Sequence, residues 1–232
     1  MSSFAKLPQA ILFDLDGTLV DANPDITEAA RRMLAELGEP ARSDEEVGHF
    51  VGKGVGVFVE RALNVGRRAH SESEIATALE RFMVHYAAVN SQQATVYPQV
   101  RETLEVLRGR GVPMACVTNK AEVFTVPLLQ SLGLADFFAC IVSGDSLPQK
   151  KPDPEPLLHA CRELGASPAQ SLMVGDSAND ALAARRAGVP VLLVTYGYSE
   201  GIAVDSIDCD GLISSFADLP DFLASSRFRV PK

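Results

Sequence analysis

Two aspartates one residue apart, Asp14 and Asp16, follow the apolar run Ala10–Phe13 and open the motif D-x-D-G-T. A buried strand that ends in carboxylates places anionic groups at the edge where a parallel α/β sheet holds its active site. Such a pair can bind a divalent cation and also supply a nucleophile. An Asp-Gly sequence is also typical of a turn, so this motif alone leaves both interpretations open.

Two later clusters carry groups that suit phosphate oxygens. The run Met114–Val117 ends in Thr118, Asn119 and Lys120, which offer a hydroxyl, an amide and a cation. Lys151 directly precedes a proline, which fixes the backbone beside the lysine. Taken alone, the hydroxyl and amide would cap a helix, and the lysine would be a solvated surface charge.

A fourth cluster adds two more carboxylates. Asp176 and Asp180 follow the apolar run 172–174 and are four residues apart at a predicted helix start, so both side chains can face one way. Asp176 could cap that helix, which is compatible with metal ligation. The carboxyl ends of parallel strands lie along one edge of a sheet, and we therefore expect the four clusters to converge on one crevice.

Alternating strands and helices must position these clusters. Short apolar runs without polar alternation are typical of strands buried on both faces, with helices between them. The fold class is therefore predicted as α/β, with a doubly wound, Rossmann-like parallel sheet. Strands are predicted at 10–13, 114–117, 141–142, 172–174, 191–194 and 211–213, and helices at 100–107, 156–164 and 216–223.

Residues 21–96 differ from the rest of the chain. They carry helical patterns at 26–37, 55–63 and 73–89 and no strand signal. This arrangement predicts an all-helical cap domain, 21–96, inserted into a core domain formed by 1–20 and 97–232.

The composition excludes several functional classes. Acidic residues outnumber basic ones by 30 to 21, for a net charge of -9, and no dense basic cluster indicates nucleic-acid binding. No uncharged apolar stretch approaches the ~20 residues that span a bilayer, and the N-terminus lacks the pattern of a secretion signal. The four cysteines include no C-x-x-C pair, so buried free thiols are expected in a protein of the cytoplasm.

The four motifs occur in the order typical of the haloacid dehalogenase superfamily of phosphohydrolases. The chain resembles this superfamily over nearly its whole length, through D-x-D-G-T at Asp14, T-N at Thr118, K-P at Lys151 and G-D-S-x-x-D from Gly175. Within the superfamily, bacterial phosphoglycolate phosphatases are similar to it at residues 21–25, 52–54, 61–63, 117–120, 144–148 and 195–198.

The resemblance implies roles for the carboxylates. Asp14 would attack phosphorus and form an aspartyl-phosphate, and Asp16 would act as general acid and then general base. Asp14, the backbone carbonyl of Asp16 and Asp176 would hold Mg²⁺, which prefers oxygen ligands. Asp180 is assigned to the same metal site, where it would orient metal-bound water or Lys151.

It also implies roles for the polar and basic residues. Thr118 and Asn119 would donate hydrogen bonds to phosphoryl oxygens, while Lys151 would offset charge on the nucleophile and the transferring group. Lys53, in the glycine-rich loop 51–56 of the cap, is a candidate for binding a substrate carboxylate. The alternative for Lys53 is an exposed lysine in a glycine-rich turn.

The function implied by the resemblance is Mg²⁺-dependent hydrolysis of 2-phosphoglycolate, a small phosphorylated metabolite, with no nucleic-acid or membrane partner. A phosphatase for a sugar or amino-sugar phosphate, and a non-catalytic interaction module on the same fold, are the alternatives. Haloalkanoate dehalogenation is disfavoured because family dehalogenases lack the second aspartate, present here as Asp16. The oligomeric state stays open between monomer and homodimer.

Overall fold

The structure is a computed structural model that describes residues 7–65 and 69–224. The terminal segments 1–6 and 225–232, which the sequence assigns to the core domain, lie outside the described residues, as do cap residues 66–68.

Six parallel strands form the central sheet. The strands of the described chain are β1 (Ala10–Phe13), β2 (Val20–Asp21), β3 (Thr95–Val96), β4 (Met114–Val117), β5 (Cys140–Val142), β6 (Ser171–Gly175), β7 (Val191–Val194) and β8 (Gly211–Ile213). The sheet order is β5-β4-β1-β6-β7-β8, so β1 lies at the centre between β4 and β6. The predicted strands and the parallel α/β fold class are confirmed.

Helices separate the strands and also form an insertion after β2. The described helices are α1 (Asn23–Glu36), α2 (Asp44–Phe50), α3 (Val55–Asn64), α4 (Glu72–Val89), α5 (Val100–Gly109), α6 (Glu122–Ser131), α7 (Glu155–Glu163), α8 (Ala178–Ala187) and α9 (Leu219–Ala224). Helices α1 to α4 follow one another without an intervening strand, which confirms the inserted all-helical cap.

Two features of the cap differ from the prediction. The ends of the predicted cap interval are strand residues, because β2 and β3 pair antiparallel with Val20 opposite Val96 and Asp21 opposite Thr95. Two-residue strands are too short to leave an alternating pattern. Helix α2 is also additional; it begins with a capping box in which Ser43 and Glu46 exchange hydrogen bonds.

The central strands are buried on both faces, as continuous apolar runs predict. On one face, Ile11 and Phe13 join a large cluster that extends into the cap through Phe58 and Phe82. On the other face, Leu12 packs in a second cluster with residues of α7 and α8. Strand β1 therefore packs into both hydrophobic clusters. This packing fixes the position of the aspartates that follow its carboxyl end.

All four cysteines are free: Cys116 and Cys161 are buried, and Cys140 and Cys209 are half-buried. The expectation of fully buried thiols is thus met at two of the four positions. Among the helices described here, none is both long and apolar enough to cross a membrane.

Candidate active site

The turn after β1 sets the position of the two motif aspartates. Gly17 has a φ of +83°, in the left-handed region that favours glycine. A Cβ atom there would lie 2.3 Å from Oδ2 of Asp176, so any side chain would collide with that carboxylate. The glycine of D-x-D-G-T therefore lets the β1 turn approach the end of β6 closely.

Lys151 links Asp14, the candidate nucleophile, to strand β4 and helix α8. Its Nζ lies 2.8 Å from Oδ1 of Asp14 and donates hydrogen bonds of 2.7 Å to Oδ1 of Asp180 and to the Val117 carbonyl. Burial alone would lower the pKa of Lys151, but the two carboxylates raise the pKa above its ordinary value. The ammonium is thus held in its charged form at the carboxyl end of β4.

Both carboxylate oxygens of Asp180 accept hydrogen bonds from other residues of the protein. Its Oδ1 accepts from Lys151, while its Oδ2 accepts from the Ser177 hydroxyl at 2.8 Å and from the Ser177 and Asp176 backbone N–H groups. This geometry fixes the start of α8 and the lysine together. Both carboxylate oxygens of Asp180 therefore have protein partners, one of which is Lys151.

Asp14, Asp176 and Asp180 form a carboxylate cluster. One oxygen from each lies within 4.8 Å of the others, and Oδ1 of Asp14 has no aligned hydrogen-bond donor in the described part of the chain. Burial raises the pKa of Asp14 to about 7, against the lowering effect of Lys151. Burial, followed by the charges of Asp180 and Asp14, raises the pKa of Asp176 well above its ordinary value.

The carboxylate cluster has little positive charge to balance it. Of the three carboxylates, Asp14 and Asp180 pair with the Lys151 ammonium, and an uncompensated buried charge is costly. Asp14 and Asp176 both line the pocket described below, and their oxygens are the hard donors that divalent cations such as Mg²⁺ prefer. The residues present therefore fit a metal site.

The predicted phosphate-binding residues are next to this cluster. Thr118 is buried at the end of β4, and its Oγ1 accepts a hydrogen bond of 3.2 Å from the Lys120 backbone N–H. The Asn119 amide donates to the carbonyls of Gly52 and Lys151, at 2.8 Å each. In this structure Asn119 thus connects the cap loop to the core loop that carries the lysine.

Asp16 forms a close ion pair that the sequence did not indicate. Both of its carboxylate oxygens accept hydrogen bonds of 3.0 Å from Lys120 Nζ, which also donates to the hydroxyl of Tyr86. Burial lowers the pKa of Lys120, whereas the Asp16 carboxylate raises it. Together they leave the pKa above its ordinary value. The position of Lys120 directly after Thr118 and Asn119 in the sequence could have identified it as a site residue. Nothing in the sequence identified Tyr86 except its place on an amphipathic helix.

Lys53 pairs with a core residue that sequence reasoning also missed. Its Nζ lies 3.2 Å from Oε2 of Glu200, and Nη1 of Arg61 lies 3.3 Å from the same oxygen. The Lys53 side chain is 42% exposed, but that of Glu200 is only 6% exposed. Asn179 also donates to Glu200, so this acid connects the cap to the core.

A pocket opens between the cap and the sheet edge. Its floor includes Asp14, Asp16 and Asp176, and its lining also contains Lys120 and Glu200. The cap covers it with mainly apolar side chains, from Ile26, Val51, Val55, Phe58, Phe82 and Tyr86. An acidic floor whose carboxylates fit a divalent cation, beneath an apolar roof, can hold a small anionic substrate away from bulk water.

Comparisons with known proteins agree with this geometry. A family model described as haloacid dehalogenase-like hydrolase matches residues 8–188. Phosphoglycolate phosphatase of Thiobacillus denitrificans is 45% identical over 219 residues, which cover 94% of this chain and 96% of that protein. The plasmid-encoded phosphoglycolate phosphatase of Cupriavidus necator is 46% identical over 218 residues, 94% of each chain.

A solved structure extends the match to three dimensions. The crystal structure of a predicted phosphoglycolate phosphatase from Haemophilus somnus 129pt superposes with a TM-score of 0.88 at 34% identity, covering 92% of this chain and 97% of that one. The family model, the sequence relatives and the shared fold lead to one conclusion: this chain belongs to the haloacid dehalogenase-like hydrolases.

Proposed function

We propose that this protein is a Mg²⁺-dependent phosphatase that hydrolyses 2-phosphoglycolate to glycolate and phosphate through an aspartyl-phosphate. The observation that carries the proposal is the cluster of Asp14, Asp176 and Asp180, with oxygens within 4.8 Å of one another. The substrate assignment is supported by relatives of 45% and 46% identity that are named phosphoglycolate phosphatase.

The first displacement uses Asp14 as the nucleophile. Its carboxylate attacks phosphorus, and the ester oxygen of the substrate leaves with the proton that Asp16 donates. Asp14 and Asp176, together with the Asp16 carbonyl, would hold Mg²⁺, with Asp180 beside them. When bound, Mg²⁺ supplies positive charge that allows an anionic carboxylate and an anionic phosphate to approach each other.

The second displacement releases phosphate. Asp16 removes a proton from water, which attacks the phosphorus of the aspartyl-phosphate and returns Asp14 to its carboxylate form. Lys151 compensates charge on Asp14 and on the transferring group throughout, because its ammonium lies 2.8 Å from Oδ1 of Asp14. Thr118 and Asn119 bind the phosphoryl oxygens in this scheme, and Asn119 would exchange its present carbonyl partners for them.

The cap selects the substrate and excludes water. Its apolar side chains line the pocket above the carboxylates, which favours a small molecule whose charged ends both find partners inside. The partner is thus a small phosphorylated metabolite, and the cytoplasm, where such metabolites occur, is the proposed location. A sugar phosphate would need partners for several hydroxyl groups, and the mainly apolar roof offers few beyond the Tyr86 hydroxyl.

A substrate panel tests this assignment. The value of kcat/KM should be measured with Mg²⁺ for 2-phosphoglycolate, glucose 6-phosphate and glucosamine 6-phosphate. We expect 2-phosphoglycolate to rank first and EDTA to abolish turnover. A sugar phosphate in first place would overturn the substrate assignment, and failure to hydrolyse any phosphate ester would overturn the assignment as a phosphatase.

A further inference from the structure

We infer that Lys120, together with the hydroxyl of Tyr86, binds the carboxylate of the leaving group and thereby determines specificity for an acidic substrate. The inference rests on the proposed function, and it moves the carboxylate site from Lys53 to the inner wall of the pocket. The substrate site then includes Lys120, from the loop after β4, and Tyr86, from cap helix α4.

Lys120 is the positive charge that a substrate inside the pocket meets. Among the described residues that line the pocket, it is the only one with a cationic side chain, and that side chain is 5% exposed. Lys151 is part of the floor but does not line the pocket itself, because its ammonium is held by Asp14, Asp180 and the Val117 carbonyl. Burying a substrate carboxylate without a cation would be strongly unfavourable, so the pocket needs this lysine.

Lys53 is poorly placed for the same task. Its side chain is 42% exposed, it is not part of the pocket lining, and its ammonium already pairs with the buried acid of Glu200. A substrate carboxylate would have to displace that acid to reach Lys53. The geometry therefore gives Lys53 a contact between cap and core and leaves Lys120 as the cation facing the ligand.

The position of Lys120 matches the connectivity of 2-phosphoglycolate. Asp16 must reach the ester oxygen, and the carboxylate carbon of this substrate is two bonds from that oxygen. Lys120 Nζ donates to both oxygens of Asp16, at 3.0 Å each. When one of those oxygens turns to the ester oxygen, one N–H of Lys120 is released beside the substrate carboxylate.

Tyr86 completes the site from the cap. Its hydroxyl accepts a hydrogen bond from Lys120 and keeps its own O–H to donate to an anion. Its ring packs against Phe82 and Phe124 at centroid distances of 5.4 and 4.6 Å, and Lys120 Nζ lies 4.9 Å from the ring centroid. This packing holds the hydroxyl in place, so the carboxylate site is complete only with the cap over the core.

The test compares two esters with the same reacting bond. The value of kcat/KM with Mg²⁺ is measured for 2-phosphoglycolate and for ethyl phosphate, which lacks the carboxylate, and the ratio of the two is taken. We expect Lys120→Gln to lower this ratio by roughly 30-fold or more, because a charged hydrogen-bond partner is lost. Lys120→Arg should retain part of the ratio, and Tyr86→Phe should lower it about fivefold.

Two lysine variants provide the matched comparison. Lys53→Gln tests the competing site, and Lys150→Gln removes an exposed lysine to which no role is assigned. If Lys120→Gln slows both esters equally, the lysine only positions Asp16 and the inference is wrong; a collapse of the ratio in Lys53→Gln would also overturn it. If Lys120→Gln does not fold, an unchanged ratio in Tyr86→Phe contradicts the inference. A wild-type enzyme that prefers ethyl phosphate would instead refute the proposed substrate.

Discussion

The floor and the roof of the pocket are built by different physical means. On the floor, charged side chains lie at the edge where the strands have their carboxyl ends, and Lys151 and Asp180 are each fixed there by several short hydrogen bonds. On the roof, apolar side chains from helices provide most of the surface, and the charged contact of Lys53 with Glu200 is partly exposed. A polar, densely hydrogen-bonded floor suits bond breaking, whereas an apolar roof built from inserted helices suits selection and exclusion of water.

The largest effect should come from the nucleophile on the floor. We expect Asp14→Asn to lower kcat by roughly 10⁴-fold or more, because an amide cannot form the aspartyl-phosphate. Initial rates with Mg²⁺ measure the loss, and circular dichroism of the same sample verifies the fold. Near-normal turnover by a folded variant would refute the covalent route and remove the chemical distinction between floor and roof.

Removing the buried cation of the floor should cost stability as well as activity. Lys151→Met leaves the carboxylates of Asp14 and Asp180 without their shared partner, and breaking such a buried pair costs about 3–5 kcal/mol. Urea unfolding measures the change. Arg162→Gln breaks an exposed ion pair with Glu155 and should cost less than about 1 kcal/mol. Equal costs for the two variants would mean that the floor is no more tightly built than the surface.

The floor should also respond to metal in a pH-dependent way. The pKa of Asp14 is raised from 3.8 to about 7, so the metal-free folded state binds this proton more tightly than the unfolded state. Its contribution to stability is therefore lost as the pH rises from about 4 through about 7. We expect Mg²⁺ to bind the ionised form, so that saturation at about 100 times Kd stabilises the fold by about 2.7 kcal/mol.

Thermal unfolding with Mg²⁺ or EDTA at pH 5.5 and pH 8 tests this response. The rise in Tm caused by Mg²⁺ should be larger at pH 8 and should be greatly reduced in Asp176→Asn. A rise in Tm that is equal at both pH values, or that is kept in Asp176→Asn, would contradict a metal site built on these carboxylates.

The smallest effect should come from the charged contact on the roof side. Glu200→Gln weakens the pairs with Lys53 and Arg61, and an ion pair with an exposed partner contributes at most about 1 kcal/mol. We expect KM for 2-phosphoglycolate to rise up to about fivefold with little change in kcat. A loss of kcat comparable to that of Asp14→Asn would instead assign Glu200 to the chemistry of the floor.

Sequence patterns predicted the floor far better than the roof. Asp14 directly follows β1 and Thr118 directly follows β4, so the end of each strand and the polar residue after it could be predicted together. Helix α2 was missed, although the spacing of Ser43 and Glu46 is that of a capping box. Periodicity indicated that α4 has a buried face, but not that Tyr86 on that face meets Lys120.

Contacts between segments far apart in the chain explain the remaining differences. Glu200 lies in the short 3₁₀ helix Ser199–Gly201, outside the four motifs, and its partners Lys53 and Arg61 are more than a hundred residues earlier. Nothing in either local pattern encodes such a pairing, because it depends on how the cap packs on the core. The site roles of the individual residues stay predictions until the variants above are measured.

The paired strands β2 and β3 make the cap exchangeable. The chain leaves the core at Asp21 and returns at Thr95, and these two residues are direct partners in the antiparallel ribbon. A substitute insert of any length therefore has to satisfy one fixed end-to-end distance, and the entropy cost of a longer loop grows only slowly. Recombination at this ribbon could transplant a whole substrate-selecting segment and leave the register of the central sheet intact.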